Sequence, residues 1–279
     1  MDVFKTTILN MSNQIQKINL NHSFIFFLFC NIFSFIVFKF SNFNISSLIS
    51  LFLILIIGVS HGSLDHEKGR KLLKIFNINS MYIFYISYIS VSILVVAIWI
   101  FTPSISLLIF LLVASYHFGK EDTQFLINKF SVFYQLLFFF KGLLIVLAPI
   151  YFNFDDTVLI FKLILVENEN FYLTLDFIES NQILPVLIVL SSLSSIYLFL
   201  KEFNIKKFSI FLDYFSILIL NYYLSPLVAF TMYFCFLHSV RHSMSLIYEI
   251  DNQDFSNGIK IFIKKAIPLT ILTGIFCLI

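Results

Sequence analysis

Charge is scarce in this chain. Asp, Glu, Lys and Arg make up 12% of its 279 residues against 59% hydrophobic, a balance far outside the range of a soluble domain. No basic tail or arginine-rich patch accompanies the net charge of +2, so nothing points to nucleic acid. Cysteine is rare as well. Cys30, Cys235 and Cys277 are odd in number, lie in apolar segments and have no CxxC spacing, and they read as inert packing residues. The first twenty residues are polar and contain no apolar run, which predicts no cleavable signal peptide. Alternation of apolar and polar residues is also missing, and with it the pattern of a membrane β-barrel.

What the chain has is solid apolar runs. A membrane span needs about 20 such residues, and runs near 23–40, 46–62, 80–101, 103–118, 130–152, 182–200, 208–224, 225–247 and 259–279 meet or approach that length. The expected fold is all-α: one polytopic transmembrane helical bundle of about nine spans covering 1–279, with 1–22 as a polar cytoplasmic N-terminal segment. The stretch 157–166 is apolar but short and flanked by acids, so it is read as interfacial or re-entrant. The 38 phenylalanines come with abundant Ile, Asn and Lys, a compositional bias rather than an aromatic ligand box.

The remaining charges are sorted by loop. Lys68, Arg70, Lys71 and Lys74 follow the second segment, Lys120 and Lys129 the fourth, Lys201, Lys206 and Lys207 the sixth, and Lys260, Lys264 and Lys265 precede the last. Asp155, Asp156, Glu167, Glu169, Asp176 and Glu179 fill loops on the other side. The positive-inside rule then predicts a cell inner-membrane protein with a cytoplasmic N-terminus. In that topology His61, His117, His238 and His242 all fall at similar depth in the cytoplasmic leaflet.

Ionisable side chains at membrane depth are costly and ask for a functional reason. His238 and His242, four residues apart, share one helix face about 40° apart, so both can reach one ion. Neutral imidazole is a ligand for iron, copper, zinc and nickel, and four imidazoles leave open positions on an octahedral iron. Ligating imidazoles usually donate their second N–H to a carboxylate, and Asp65, Glu121 and Asp122 lie within five residues of His61 or His117. Arg241 is expected to pair with one of these acids or to extend towards the headgroups. His66 is expected in the loop and His22 at the membrane interface.

Spacing removes several alternatives. His66-Glu67 is followed by Lys68-Gly69-Arg70, so the HExxH motif of zinc metalloproteases is absent. Six histidines with one HxxxH box are too few for a di-iron desaturase, and paired haems would want histidines in both leaflets. Lys141, the one mid-span lysine suited to a Schiff base, has no neighbouring acid in sequence.

Three segments carry a resemblance: Gly58-Val59-Ser60-His61-Gly62-Ser63-Leu64-Asp65-His66, Ser115-Tyr116-His117-Phe118-Gly119-Lys120-Glu121-Asp122, and Phe236-Leu237-His238-Ser239-Val240-Arg241-His242. In type, order and separation they resemble the signatures of the bacteriorhodopsin-related protein (Brp/Blh) family, over about residues 45–250. Members of that family are membrane β-carotene cleavage dioxygenases that supply retinal to microbial rhodopsins. The resemblance implies one Fe(II) held by His61, His117, His238 and His242, with β-carotene and O2 as substrates in the lipid bilayer. Tyr116 is then expected to line a substrate tunnel or donate a hydrogen bond, and Gly62 and Gly119 to permit close approach or end helices. Two readings from other classes stay open: a transporter or channel that moves metal ions or protons, and a retinal- or carotenoid-binding accessory protein without turnover.

Overall fold

The computed structural model describes residues 2–40, 46–58, 62, 65–127, 131–164, 168–251 and 254–278, and every regular element among them is helical. Helix α1 runs from Asp2 to Lys39. Helix α2, Ser47–Leu53, continues into a π-helical turn, Ile54–Gly58. Then come α3 (Asp65–Ile75), α4 (Met81–Phe101), α5 (Pro103–Glu121) and α6 (Val132–Phe152). Two short helices follow, α7 (Phe154–Ile164) and α8 (Glu169–Ser180), before α9 (Ile183–Leu200) and α10 (Phe208–Tyr223). Helix α11 (Pro226–Thr231) passes through a second π-helical turn, Met232–His238, into α12 (Ser239–Ile250), and α13 spans Phe255–Leu278.

Each apolar run of the sequence reappears as a helix, but the expected nine spans are not all reproduced. Among the described residues, five helical stretches are long and apolar enough to cross a membrane: Ile15–Lys39, Met81–Phe101, Pro103–Glu121, Val132–Phe152 and Ile183–Leu200. Ser47–Gly58 is shorter, and Phe208–Tyr223 has only 16 residues. The eleven residues of α7 cover about 16 Å, half a ~30 Å hydrocarbon core, so this stretch does not span. Its first turn carries Asp155 and Asp156, where the helix dipole favours negative charge.

Helix α4 buries none of its residues, and its Ile, Val and Tyr side chains face outwards. An apolar surface of this kind fits a lipid surround and would aggregate in water. The core lies instead between α1, α6, α10 and the α11–α12 rod, where Cys30, Leu144, Leu220, Ala229 and Leu237 are sealed. Cys30 and Cys235 are both fully buried, as their reading as packing residues requires.

Among the described residues, helices α5 and α6 make the most extensive helix–helix contact. Gly119 and Gly142 face each other there. A Cβ on Gly119 would collide with the carbonyl oxygen of Phe138, and one on Gly142 with that of Ser115. Small residues that let two backbones touch are a device of membrane helix packing, where van der Waals contact replaces the hydrophobic effect. Gly119 therefore serves close backbone approach; it does not end α5, which continues to Glu121.

Residues 15–22 of the expected polar segment belong to α1 and are tied to the bundle. Gln16 donates to the Phe125 carbonyl at 2.7 Å and accepts from Lys206 at 3.1 Å.

Candidate functional site

The site is built where the C-terminal end of α5 meets the second π-helical turn and α12. On α5, His117 and Glu121 are four residues apart and share a face, and Asp122 caps the helix. Opposite them, the π-helical turn closes at His238. A π-turn hydrogen-bonds i to i+5, and such turns recur at functional sites. Its wider winding sets both Tyr233 and Phe234 under the His238 ring, with centroids 6.1 and 5.9 Å away.

Two consecutive acids hold two histidines one helical turn apart. Asp122 accepts from His238 Nδ1 at 3.0 Å, and Glu121 accepts from His242 Nδ1 at 2.7 Å. An ionised carboxylate only accepts, so each neutral ring keeps its proton on Nδ1 and presents the lone pair of Nε2. Lys68 Nζ stands 3.2 Å from His242 Nε2 and donates to it, which agrees with that tautomer. His117 closes the group: its ring centroid lies 5.3 Å from that of His238, and it is within electrostatic reach of His242.

The carboxylates are themselves fixed. Tyr233 donates to the second oxygen of Asp122 at 2.6 Å, and Gln124 donates to Glu121 at 2.7 Å. Behind them lies a buried ionic layer. Arg241 grips Asp213 of α10 with two hydrogen bonds of 2.8 and 3.2 Å and donates to Ser23 of α1 at 2.8 Å. Lys141 of α6, 6% exposed, shares this layer with Asp122 and Asp213.

The structure brings together His117, His238, His242, Glu121 and Asp122. His61 lies outside the described residues. Gly58, three positions before it, packs so tightly on the second π-helical turn that a Cβ there would stand 2.6 Å from the Phe234 ring. Asp65 accepts from Tyr88 at 3.3 Å. Tyr116 donates to Gln135 across the α5–α6 contact at 2.5 Å. His66 is in the first turn of α3 and not in a loop. His22 is half-buried and bonds the Phe236 carbonyl at 2.9 Å, so it braces the π-helical turn from α1.

Arg241 overturns its expected pairing, since its carboxylate partner is Asp213 and it reaches Asp122 only at the backbone carbonyl, 3.5 Å away. Asp213 was readable as the one acid inside the apolar run 208–224, and Tyr233 carried no signal beyond its neighbours. Lys68 appeared only as one charge of a basic loop.

The donor chemistry suits a borderline divalent transition ion: imidazoles with their tautomers set by carboxylates, in a largely apolar surround. Among the described residues, no three His, Cys, Asp or Glu side chains stand close enough to share one ion as placed.

Fold and site together define a helical membrane bundle with an imidazole cluster backed by buried acids. The family profile described as Beta-carotene 15,15'-dioxygenase matches residues 52–279, and the chain belongs to that family. Membership implies a carotenoid substrate. No curated protein and no solved structure matches the chain.

Proposed function

We propose that this protein is a membrane-embedded non-haem iron oxygenase that cleaves β-carotene at its central double bond with O2. Each of the two carbons of that bond receives one oxygen atom, so one C40 hydrocarbon and one O2 become two retinal molecules. The observation that carries the reading is the paired anchoring of His238 and His242 by Asp122 and Glu121, with His117 against His238. Family membership supplies the substrate class.

Under this reading His61, His117, His238 and His242 hold Fe(II) through their imidazoles. The bound ion supplies one-electron chemistry and open positions for O2. Lys68, whose ammonium is at His242 Nε2, would have to leave that nitrogen for an ion to be held there; its side chain is exposed. Asp122 and Glu121 keep Nε2 of each ring unprotonated and aimed at the centre. Asp65 remains a supporting group for the segment that carries His61. Phe118 and Phe234 pack on His238 at 4.8 and 5.9 Å and exclude water from it.

β-Carotene is wholly apolar and dissolves in the bilayer, so a site among membrane helices takes it laterally. The proposal places the protein in the cell inner membrane with about nine crossings and a cytoplasmic N-terminus, serving a microbial rhodopsin that consumes the retinal.

Expression in a bacterial host that makes β-carotene tests the reading. Loss of orange colour with production of two retinal molecules per carotene lost is the expected result. Unchanged carotene in cells with inserted protein and adequate iron would overturn it, and reversible metal release without carotene loss would favour a transporter.

A further inference from the structure

One cavity in the bundle is set off from the charged layer and yet touches the histidine cluster. It lies between α5, α6, α7 and α11, has a volume of about 160 Å³, is partly open to the outside, and is lined by Ala114, Phe118, Ile145, Thr157, Pro226 and Phe230 among others. No charged side chain faces it. The one hydroxyl on its wall, that of Thr157, is already spent on the carbonyls of Pro149 and Asn153 at 2.9 and 2.7 Å. The cavity therefore offers a guest nothing polar.

Its inner wall belongs to the site. Phe118 lines the cavity with one side and meets His238 edge-on with the other, ring centroids 4.8 Å apart. Phe230 lines it too and stacks on Phe234 at 5.4 Å, which in turn stacks on His238. Along α5 the far wall at Phe110 is seven residues before His117, about 10 Å along the axis. A carotene comparable in length to the ~30 Å hydrocarbon core and centred at the histidines extends about 15 Å to either side, far enough to fill the cavity up to its far wall. Polarity and position beside the histidines therefore point to one occupant.

We propose that this cavity receives one cyclised end of the carotene, with Phe118 at the boundary between the end-group and the histidine centre. The inference rests on the carotenoid reading above and adds the subsite that fixes which bond lies at the centre. A lipid acyl chain shares the cavity's chemistry but has no rigid ring to fill its breadth.

Binding without turnover tests it. Purified protein is equilibrated under argon with vesicles containing β-carotene, and pigment retained per protein is measured after removal of the vesicles. Wild-type protein is expected to retain pigment. Ala114→Phe, which grows a ring into the cavity from α5, is expected to retain about tenfold less or lower still, the scale on which a misfit group in an apolar pocket is rejected. Ile160→Trp, from the opposite wall, gives the same reading if Ala114→Phe does not fold; folding is judged by the melting temperature of each. Equal pigment in the wild type and a folded variant overturns the proposal, as does wild-type protein that keeps bilayer phospholipid in the cavity and retains no carotene. Retention by wild type, lost in the variant, with no cleavage after air is admitted, would sink the enzymatic reading and leave the subsite standing.

Discussion

Asp213 and Arg241 form a two-pronged ion pair in the bundle interior, with both side chains no more than 3% exposed. Partners of this kind hold α10 against α12 and keep the backbone around Asp122 in register with His238. Removing one partner strands a buried charge, which costs about 3–5 kcal/mol. Asp213→Asn is therefore expected to lower the melting temperature and the yield of monodisperse protein sharply. The paired change Asp213→Leu with Arg241→Met should recover much of that loss, because it removes both charges together. Thermal melts in one detergent compare the three proteins.

Asp122→Asn keeps the shape of the side chain and removes its charge. The amide can turn its NH2 towards His238 Nδ1, so the ring no longer has a reason to carry its proton there. Supporting carboxylates of this kind are worth about 10–100-fold in metal affinity. Iron content after dialysis against a graded chelator series should fall on that scale in the variant, with the fold retained.

His238→Ala and His242→Ala should each abolish iron retention and carotene cleavage. His22→Ala should behave differently. It loses one hydrogen bond to the Phe236 carbonyl, about 1 kcal/mol, so the melting temperature drops slightly while iron is kept. Full iron retention and activity in His238→Ala would remove that residue from the site.

Gly119→Ala and Gly142→Ala each introduce a methyl where the opposing helix places a backbone carbonyl. A backbone cannot give way as a side-chain end does, so α5 and α6 must separate, and overpacking of this kind costs about 1–3 kcal/mol or more. The expected outcome is loss of folded protein in detergent, larger for the double variant. Gly62→Ala, whose added Cβ has Asp65 at 3.6 Å as its nearest neighbour among the described residues, should be tolerated.

Length, apolarity and helical spacing are local properties, and the sequence disclosed what depends on them. The helical class follows from solid apolar runs. The shared face of His238 and His242 follows from a separation of four residues, which any regular helix converts into neighbouring side chains. The acids at 121 and 122 were legible as supports for imidazoles, but only by their proximity to His117.

Tertiary packing decided the rest. Asp122 serves His238, 116 residues away, and Glu121 serves His242, 121 residues away, pairings that no local rule contains. Arg241 pairs with Asp213, 28 residues away on α10, and not with any of the three acids near His61 and His117. The π-helical turn ending at His238 shifts the phase of the residues before it, so a sequence read at 3.6 residues per turn places Tyr233 wrongly. A span count is tertiary too, since an apolar helix buried among others and one facing lipid have the same composition, and only the packed bundle separates them.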